Sequence, residues 1–146
     1  MDNSLAWAAQ NGHEGVVRML LSQDDIEPDK PDENGRTPLI RAASNGNEEV
    51  MRMLLGRNDV NPDKPDEDGR TPLMEAACNG NEEVVRMLLG RNDVNPNKPD
   101  SEGQTPLWWA TRYGNDGVAQ SVFATVRGPG GAPRGDCQEP RTGRDG

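Results

Sequence analysis

Apolar residues recur along the chain in short groups that fit helices of about two turns. Leu39, Ala42 and Ala43 follow i, i+3, i+4 spacing and therefore share one helical face. The apolar residues of the segment 50–54 share a face in the same way. Asn45-Gly46 lies between the two groups and is a typical helix end. The pattern predicts two short helices joined by a tight turn.

Polar residues mark where these helices begin and end. Thr37 can cap the first helix, and Pro38 suits the first helical position, where no N–H is needed. The acidic pair Glu48-Glu49 favours the start of the second helix, and Gly56 is placed to end it. The following segment, 58–68, is rich in Pro, Asp and Asn, so we predict an extended loop that returns the chain to the next helix pair.

The segments 31–64 and 65–98 are near-duplicates that differ at six positions. A degraded copy precedes them, with residues 5–21 in register with 39–55 at a shift of 34 residues, and another follows them. Near-duplication at a fixed period is typical of a stack of like units. We therefore predict one repeat domain over residues 1–126, with units at about 1–30, 31–64, 65–98 and 99–126.

The two ends of the chain depart from the repeat. The first copy lacks the loop and the Thr-Pro that should precede Leu5, which leads us to expect a truncated array. Residues 127–146 contain six Gly and three Pro and show no periodicity, so we predict a disordered tail. The abrupt loss of the repeat also fits translated intron or frameshifted sequence.

The pattern TPLxxAAxxG, followed by a VVRMLL-type helix and DVN, resembles the ankyrin repeat. The tetratricopeptide repeat has the same period but is helical almost throughout, which the Pro-rich loops exclude. The resemblance covers about residues 3–122, and the NPDKPD loop is similar to that of fungal-type arrays. In one departure, the usual His after Thr-Pro-Leu is replaced by Ile40, Met74 or Trp108.

The resemblance implies an all-α repeat fold, an ankyrin-like solenoid of helix-turn-helix units with projecting, hairpin-like finger loops. It also implies a non-catalytic protein-binding module, whose partner contacts the finger tips and the groove formed by the first helices. Carried onto this sequence, that surface comprises Glu33, Asn34, Arg36, Ser44, Asn45, Glu67, Asp68, Arg70, Cys78, Asn79, Ser101, Glu102, Gln104, Trp109, Arg112 and Tyr113.

Composition and charge narrow the class of partner. The chain is 32% hydrophobic and 3% aromatic, too little for a large globular core but enough for thin apolar layers between repeats. A net charge of −9 argues against nucleic acid and anionic membranes and favours a protein partner with a basic surface. The sequence has neither a membrane-length apolar run nor a signal peptide, so we expect an intracellular, cytoplasmic or nuclear monomer.

Residues with catalytic or metal-binding potential are isolated. His13 is the single histidine, and without further His or paired Cys ligands it predicts a structural role. The finger carboxylates lack the spacing of a calcium loop. Cys78 has no evident activating neighbour, and Asn61 and Asn95 suit turn hydrogen bonds. We therefore predict no enzyme activity, no metal and no cofactor.

Aromatic residues are concentrated in the last unit. Trp108 occupies the position of Ile40 and Met74, so we expect it to pack between units. Trp109 occupies the position of Arg41 and Glu75, where polar residues are tolerated, so we expect it to be partly exposed. Exposed aromatic residues in this unit either anchor a partner or face a missing next repeat.

Two alternatives to a self-contained binding module remain open from the sequence. The chain could be a fragment of a larger fungal receptor or regulatory protein that carries an ankyrin sensor array. It could also be a non-functional fragment that folds poorly.

Overall fold

The computed structural model describes residues 4–127. Within that range the chain forms helices and loops and no strands. The eight helices are α1 (Ser4–Gln10), α2 (Glu14–Leu21), α3 (Pro38–Asn45), α4 (Glu48–Leu55), α5 (Pro72–Asn79), α6 (Glu82–Leu89), α7 (Pro106–Arg112) and α8 (Asp116–Arg127). We number the successive helix pairs units 1 to 4.

The first helices of units 2 to 4 are capped as predicted. The Oγ1 atom of Thr37 accepts a hydrogen bond from the N–H of Ile40 at 3.2 Å, and Thr71 and Thr105 do the same in their units at 3.3 and 3.2 Å. Proline follows each threonine at the start of the helix. This cap satisfies one of the backbone donors that a helix leaves unpaired at its start.

Glycine ends the first helices where the chain must reverse quickly. Gly46 and Gly80 adopt left-handed conformations, with φ of 70° and 73°. A Cβ at Gly46 would also lie 3.0 Å from Oδ1 of Asn81 in the next unit. These positions therefore require glycine both for the turn and for the close approach of neighbouring units.

The helices stack in two layers. The inner layer is α1, α3, α5 and α7, the outer layer is α2, α4, α6 and α8, and each helix contacts its counterpart in the next unit. Small residues such as Ala42 and Ala76 are fully buried and let the inner helices approach closely. Leu54 and Leu88 fill the space between layers. The predicted all-α solenoid of helix pairs is confirmed.

The finger loops are hairpin-like turns held by one aspartate each. In the loop of unit 2, Oδ1 of Asp32 accepts hydrogen bonds from the backbone N–H groups of Asn34 and Arg36 at 2.9 and 3.1 Å. Asp66 and Asp100 bind their own loops in the same way. Neighbouring fingers also touch, since the N–H of Ser101 donates to the carbonyl of Asp68 at 3.0 Å.

Unit 4 differs in its second helix. α8 has 12 residues, whereas α4 and α6 have eight and stop before Gly56 and Gly90. Ala124 stands at the glycine position, so the helix continues for another turn. Val118 and Val122, four residues apart and therefore on one face of α8, are buried. The predicted disordered tail lies outside the described residues from position 128 onward.

Candidate functional site

A chain of charged and aromatic side chains lines the groove between the fingers and the inner helices. We call it the groove ladder. In units 2 and 3 it consists of one finger aspartate, one finger arginine and one inner-helix residue, and in unit 4, where Gln104 replaces the arginine, of the aspartate and the inner-helix residue. Its described members are Asp32, Arg36, Arg41, Asp66, Arg70, Glu75, Asp100 and Trp109. Its first pairing is within unit 2, where Nη2 of Arg41 lies 2.5 Å from Oδ2 of Asp32.

Glu75 forms the centre of the groove ladder. It is 7% exposed, and its Oε2 lies 3.4 Å from Nη2 of Arg36 in unit 2 and 4.0 Å from Nη1 of Arg70 in its own unit. Burial raises the pKa of Glu75 above its ordinary value, although the two arginines act in the opposite direction. Nε of Arg36 also lies 3.6 Å from Oδ2 of Asp66, so this arginine joins units 2 and 3.

Trp109 continues the groove ladder into unit 4. Its Nε1–H donates to Oδ2 of Asp100 at 3.2 Å, and the guanidinium of Arg70 lies 4.6 Å above its ring. Tyr113 stacks on the same indole, with ring centroids 5.9 Å apart and planes inclined by 6°. The indole is thus covered by Arg70 and Tyr113 and held by Asp100.

The predicted exposure of the two adjacent tryptophans is therefore wrong. Trp109 is only 8% exposed, because its polar counterparts Arg41 and Glu75 belong to a partly buried ladder and do not face open solvent. Trp108 was expected to pack between units and is 40% exposed, because the described residues contain no unit beyond it. Trp109 is consequently poorly placed to contact a partner directly, whereas Trp108 is accessible.

The finger tips are exposed and acidic. Six of the predicted partner-binding residues lie there, and each is exposed: Glu33, Asn34, Glu67, Asp68, Ser101 and Glu102. Four of them carry carboxylates. Over residues 4–127, no lysine or arginine lies within salt-bridge distance of these four carboxylates. The acidic row, as we call Glu33, Glu67, Asp68 and Glu102, is therefore open to solvent and to a partner.

The remaining predicted residues divide between structural and accessible positions. Nδ2 of Asn45 donates to the carbonyl of Gln10 at 2.6 Å, and Asn79 donates to Ser44 at 2.9 Å, so both amides join successive units. Ser44, Cys78 and Gln104 are half-buried. Burial, followed by the charge of Glu75, raises the pKa of the Cys78 thiol. Arg112 and Tyr113 are exposed, and the guanidinium lies 5.9 Å from the ring.

Several joints between units were not predicted from the sequence. Nδ2 of Asn47 makes no cap and instead donates to the carbonyl of Ala9 in unit 1 at 2.7 Å, and Asn81 and Asn115 repeat this contact. Arg57 donates to the carbonyl of Leu21 at 2.7 Å while it pairs with Asp59, and Arg91 repeats that contact. These asparagines and arginines recur at 34-residue intervals, and that recurrence is the sequence feature from which the contacts could have been predicted.

The long loops are tied together by a second set of carboxylates. Oδ2 of Asp29 accepts from the N–H of Asn61 at 2.8 Å, and Asp63 accepts from Asn95 at 2.7 Å. Desolvation raises the pKa of both aspartates. Oδ1 of Asn61 accepts from the N–H of Asp63 at 3.0 Å, which confirms the predicted turn hydrogen bond. These carboxylates therefore hold neighbouring loops together.

A sequence profile described as "Ankyrin repeats (3 copies)" matches residues 2–66 and 58–125, which is most of the chain. The chain belongs to the ankyrin repeat family. A comparison with curated proteins gives no match. Ankyrin repeats are generally protein–protein interaction modules and are typically non-catalytic. The resemblance inferred from Thr-Pro-Leu and DVN is thereby confirmed.

Among residues 4–127, no group of three or more His, Cys, Asp or Glu side chains is arranged to hold a metal ion. Every helix in that range is too short or too polar to cross a bilayer. The groove is held by salt bridges and hydrogen bonds, and the carboxylates of the acidic row lie at its edge.

Proposed function

We propose that this ankyrin array is a non-catalytic module that binds a protein partner with a basic surface. Contact is made through the finger tips and the exposed ends of the inner helices. The observation that carries the proposal is the acidic row. Its four carboxylates are exposed, whereas each carboxylate of the groove ladder is already paired with an arginine or, at Asp100, accepts a hydrogen bond from the indole of Trp109. Lysines or arginines of a partner would therefore meet unneutralised charge at the tips.

The groove ladder supports this function by fixing the fingers before a partner arrives. Arg36 connects the finger of unit 2 to Asp66 and Glu75 of unit 3, and Arg70 connects unit 3 to Trp109 of unit 4. A surface that is already ordered loses little conformational entropy on binding. The acidic row would then act as one rigid strip, which favours a partner whose basic residues are similarly spaced.

Accessible aromatic residues supply the complementary apolar contact. Tyr113 and Trp108 are both exposed in unit 4, at one end of the array. Tyrosine and tryptophan are enriched among residues that dominate interface energies. Binding would therefore combine electrostatic attraction along the tips with burial of these two rings at one end.

The test is affinity capture from a lysate of the source cells, with the chain as bait and mass spectrometry as readout. The bait variant carries Glu33→Lys, Glu67→Lys, Asp68→Lys and Glu102→Lys. The matched control carries the same four-charge reversal on the outer helices, at Glu48, Glu49, Glu82 and Glu83. We expect a protein retained by the wild type and the control to be lost from the finger-tip variant. Retention by all three baits, or equal loss from both variants, contradicts the proposal.

A further inference from the structure

The contact between successive units is directional, so each unit has two different faces. One face receives the preceding unit and the other receives the following unit. We call the exposed preceding side of unit 1 the N-face, defined by Trp7, Val16, Met19 and Leu20, and the exposed following side of unit 4 the C-face, defined by Leu107 and Trp108. These two faces are the two halves of an interface that the fold already forms three times.

The N-face is apolar and uncovered by the described residues. Val16 is 41% exposed, whereas its counterpart Val50, which the preceding unit covers, is 0% exposed. Trp7 and Met19 are 62% and 57% exposed. Leu20 is half-buried, while its counterparts in the other units are fully buried. The preceding unit is therefore what buries the positions of Val16 and Leu20 elsewhere in the array.

The C-face shows the reciprocal pattern. Trp108 is substantially exposed, but its counterparts Ile40 and Met74 are covered by the following unit and fully buried. Leu107 is half-buried, whereas Leu39 and Leu73 are almost inaccessible. The next unit is what buries this side, as it does within the array.

Polar groups on the N-face retain the hydrogen-bonding chemistry of the internal joints. Inside the array, three positions donate to carbonyls of the preceding unit, and they are occupied by Asn45, Asn47 and Arg57 in unit 2. The same positions in unit 1 are Asn11, His13 and Gln23, each of which has an N–H donor. Nδ2 of Asn11 turns back onto the carbonyl of Trp7 in its own helix at 2.9 Å.

We propose that copies of this chain associate head to tail, with the C-face of one copy packed on the N-face of the next. The joint would continue the 34-residue register of the array, so Trp108 would be buried as Ile40 is, and Val16 as Val50 is. Asn11 and His13 would then face the last carbonyls of α7, which a helix end leaves available. This assembly does not rest on the partner proposed above, although the two would compete for the ring of Trp108.

The geometry of such a joint predicts open-ended chains and not closed pairs. Two different surfaces meet, so each added copy leaves one N-face and one C-face free. The net charge of −9 on each copy opposes association, and salt screens that repulsion. We therefore expect a weak contact that is populated at micromolar to millimolar concentration in buffer of about 0.3 M salt.

The test measures mass against concentration by sedimentation velocity, with one variant for each face. Val16→Glu blocks the N-face, Trp108→Glu blocks the C-face, and Asn58→Glu places the same charge on an exposed loop of unit 2. Each face variant should weaken self-association by at least about tenfold, because a carboxylate would be buried without a partner. The Asn58 variant should associate like the wild type. Circular dichroism checks that each variant is folded, and Trp108→Ala, which removes the ring without adding a charge, replaces Trp108→Glu if that variant is not.

A mixture of the Val16→Glu and Trp108→Glu variants distinguishes head-to-tail association from symmetric association, in which the same face of both copies meets. Each variant retains one intact face, so the equimolar mixture should form a one-to-one dimer and stop there. A wild type that stays monomeric across the range, as the sequence alone led us to expect, overturns the proposal. So does a mixture that remains monomeric, or a single face variant that still dimerises on its own.

Discussion

At the scale of single residues, the inner-helix position of the groove ladder is occupied by different residue types, which make different contacts in the groove. Arg41, Glu75 and Trp109 are equivalent in the repeat, and each contacts a finger residue through a salt bridge, a cation–π contact or a hydrogen bond. Chemical variation at this position therefore does not indicate exposure. The polar counterparts of Trp109 predict partial exposure, but those counterparts contact finger residues and so does the indole.

The tryptophan pair gives a direct test at this scale. Trp109→Ala should lower the free energy of unfolding by about 3–5 kcal/mol, because it empties a buried site and leaves Asp100 and Arg70 without their contacts. Trp108→Ala is the matched control, because it removes the same ring one residue away, where the side chain is 40% exposed. It should lower the free energy of unfolding by no more than about half as much. Urea denaturation followed by circular dichroism measures both. Equal losses would show that the burial assigned to these two rings is incorrect.

Glu75 predicts a pH dependence. Its pKa is raised in the folded chain, so the folded state holds the proton more tightly than the unfolded state does. Its contribution to stability is fully present below the ordinary pKa and is lost as pH rises through the interval up to the raised pKa. Glu75→Gln cannot ionise, so the variant should gain stability relative to the wild type between about pH 3 and pH 7.

The control for that experiment is Glu67→Gln, which removes an exposed carboxylate from the neighbouring finger. It should change stability by less than about 0.5 kcal/mol at either pH, because surface substitutions rarely do more. Denaturant midpoints of the wild type and both variants, measured at about pH 3 and about pH 7, provide the comparison. A Glu75→Gln difference that is constant with pH, or that shifts in favour of the wild type as pH rises, would contradict the assigned direction of the pKa shift.

At the scale of the helices, sequence pattern was sufficient because local chemistry and packing agree. Thr-Pro starts each inner helix of units 2 to 4, Gly46 and Gly80 end two of them, and the apolar stripe faces the neighbouring unit. The joints made by Asn47 and Arg57 were harder to foresee. Both residues also fit local roles, as a helix start and a loop cation, and only the three-dimensional register brings them to carbonyls of the preceding unit.

Close packing of the inner helices predicts a strong dependence on side-chain size. Ala76 is fully buried in α5, so Ala76→Leu should lower the free energy of unfolding by about 1–3 kcal/mol through overpacking. Ala124→Leu makes the same change on an exposed position of α8 and should be close to neutral. Denaturation midpoints compare the two. An unchanged midpoint for Ala76→Leu would count against the tight approach of α3, α5 and α7.

At the scale of the whole molecule, stability comes from neighbours. Helices of seven or eight residues are too short to persist alone in water, so units 1 to 3 depend on the layers and joints between units. The exposure of Trp108 could not be predicted from its position in the repeat. A residue identical in position to Ile40 has a different environment because burial depends on whether another unit covers it.

The most direct test of this account is whether units 1 to 4 unfold together. Far-ultraviolet circular dichroism reports all the helices, and fluorescence of a Trp7→Phe, Trp108→Phe variant reports Trp109 and hence the joint between units 3 and 4. Because the groove ladder and the backbone joints couple each unit to the next, we predict coincident urea transitions for the two probes. A fluorescence transition clearly separated from the helical one would show that unit 4 unfolds independently and that the units do not form one cooperative scaffold.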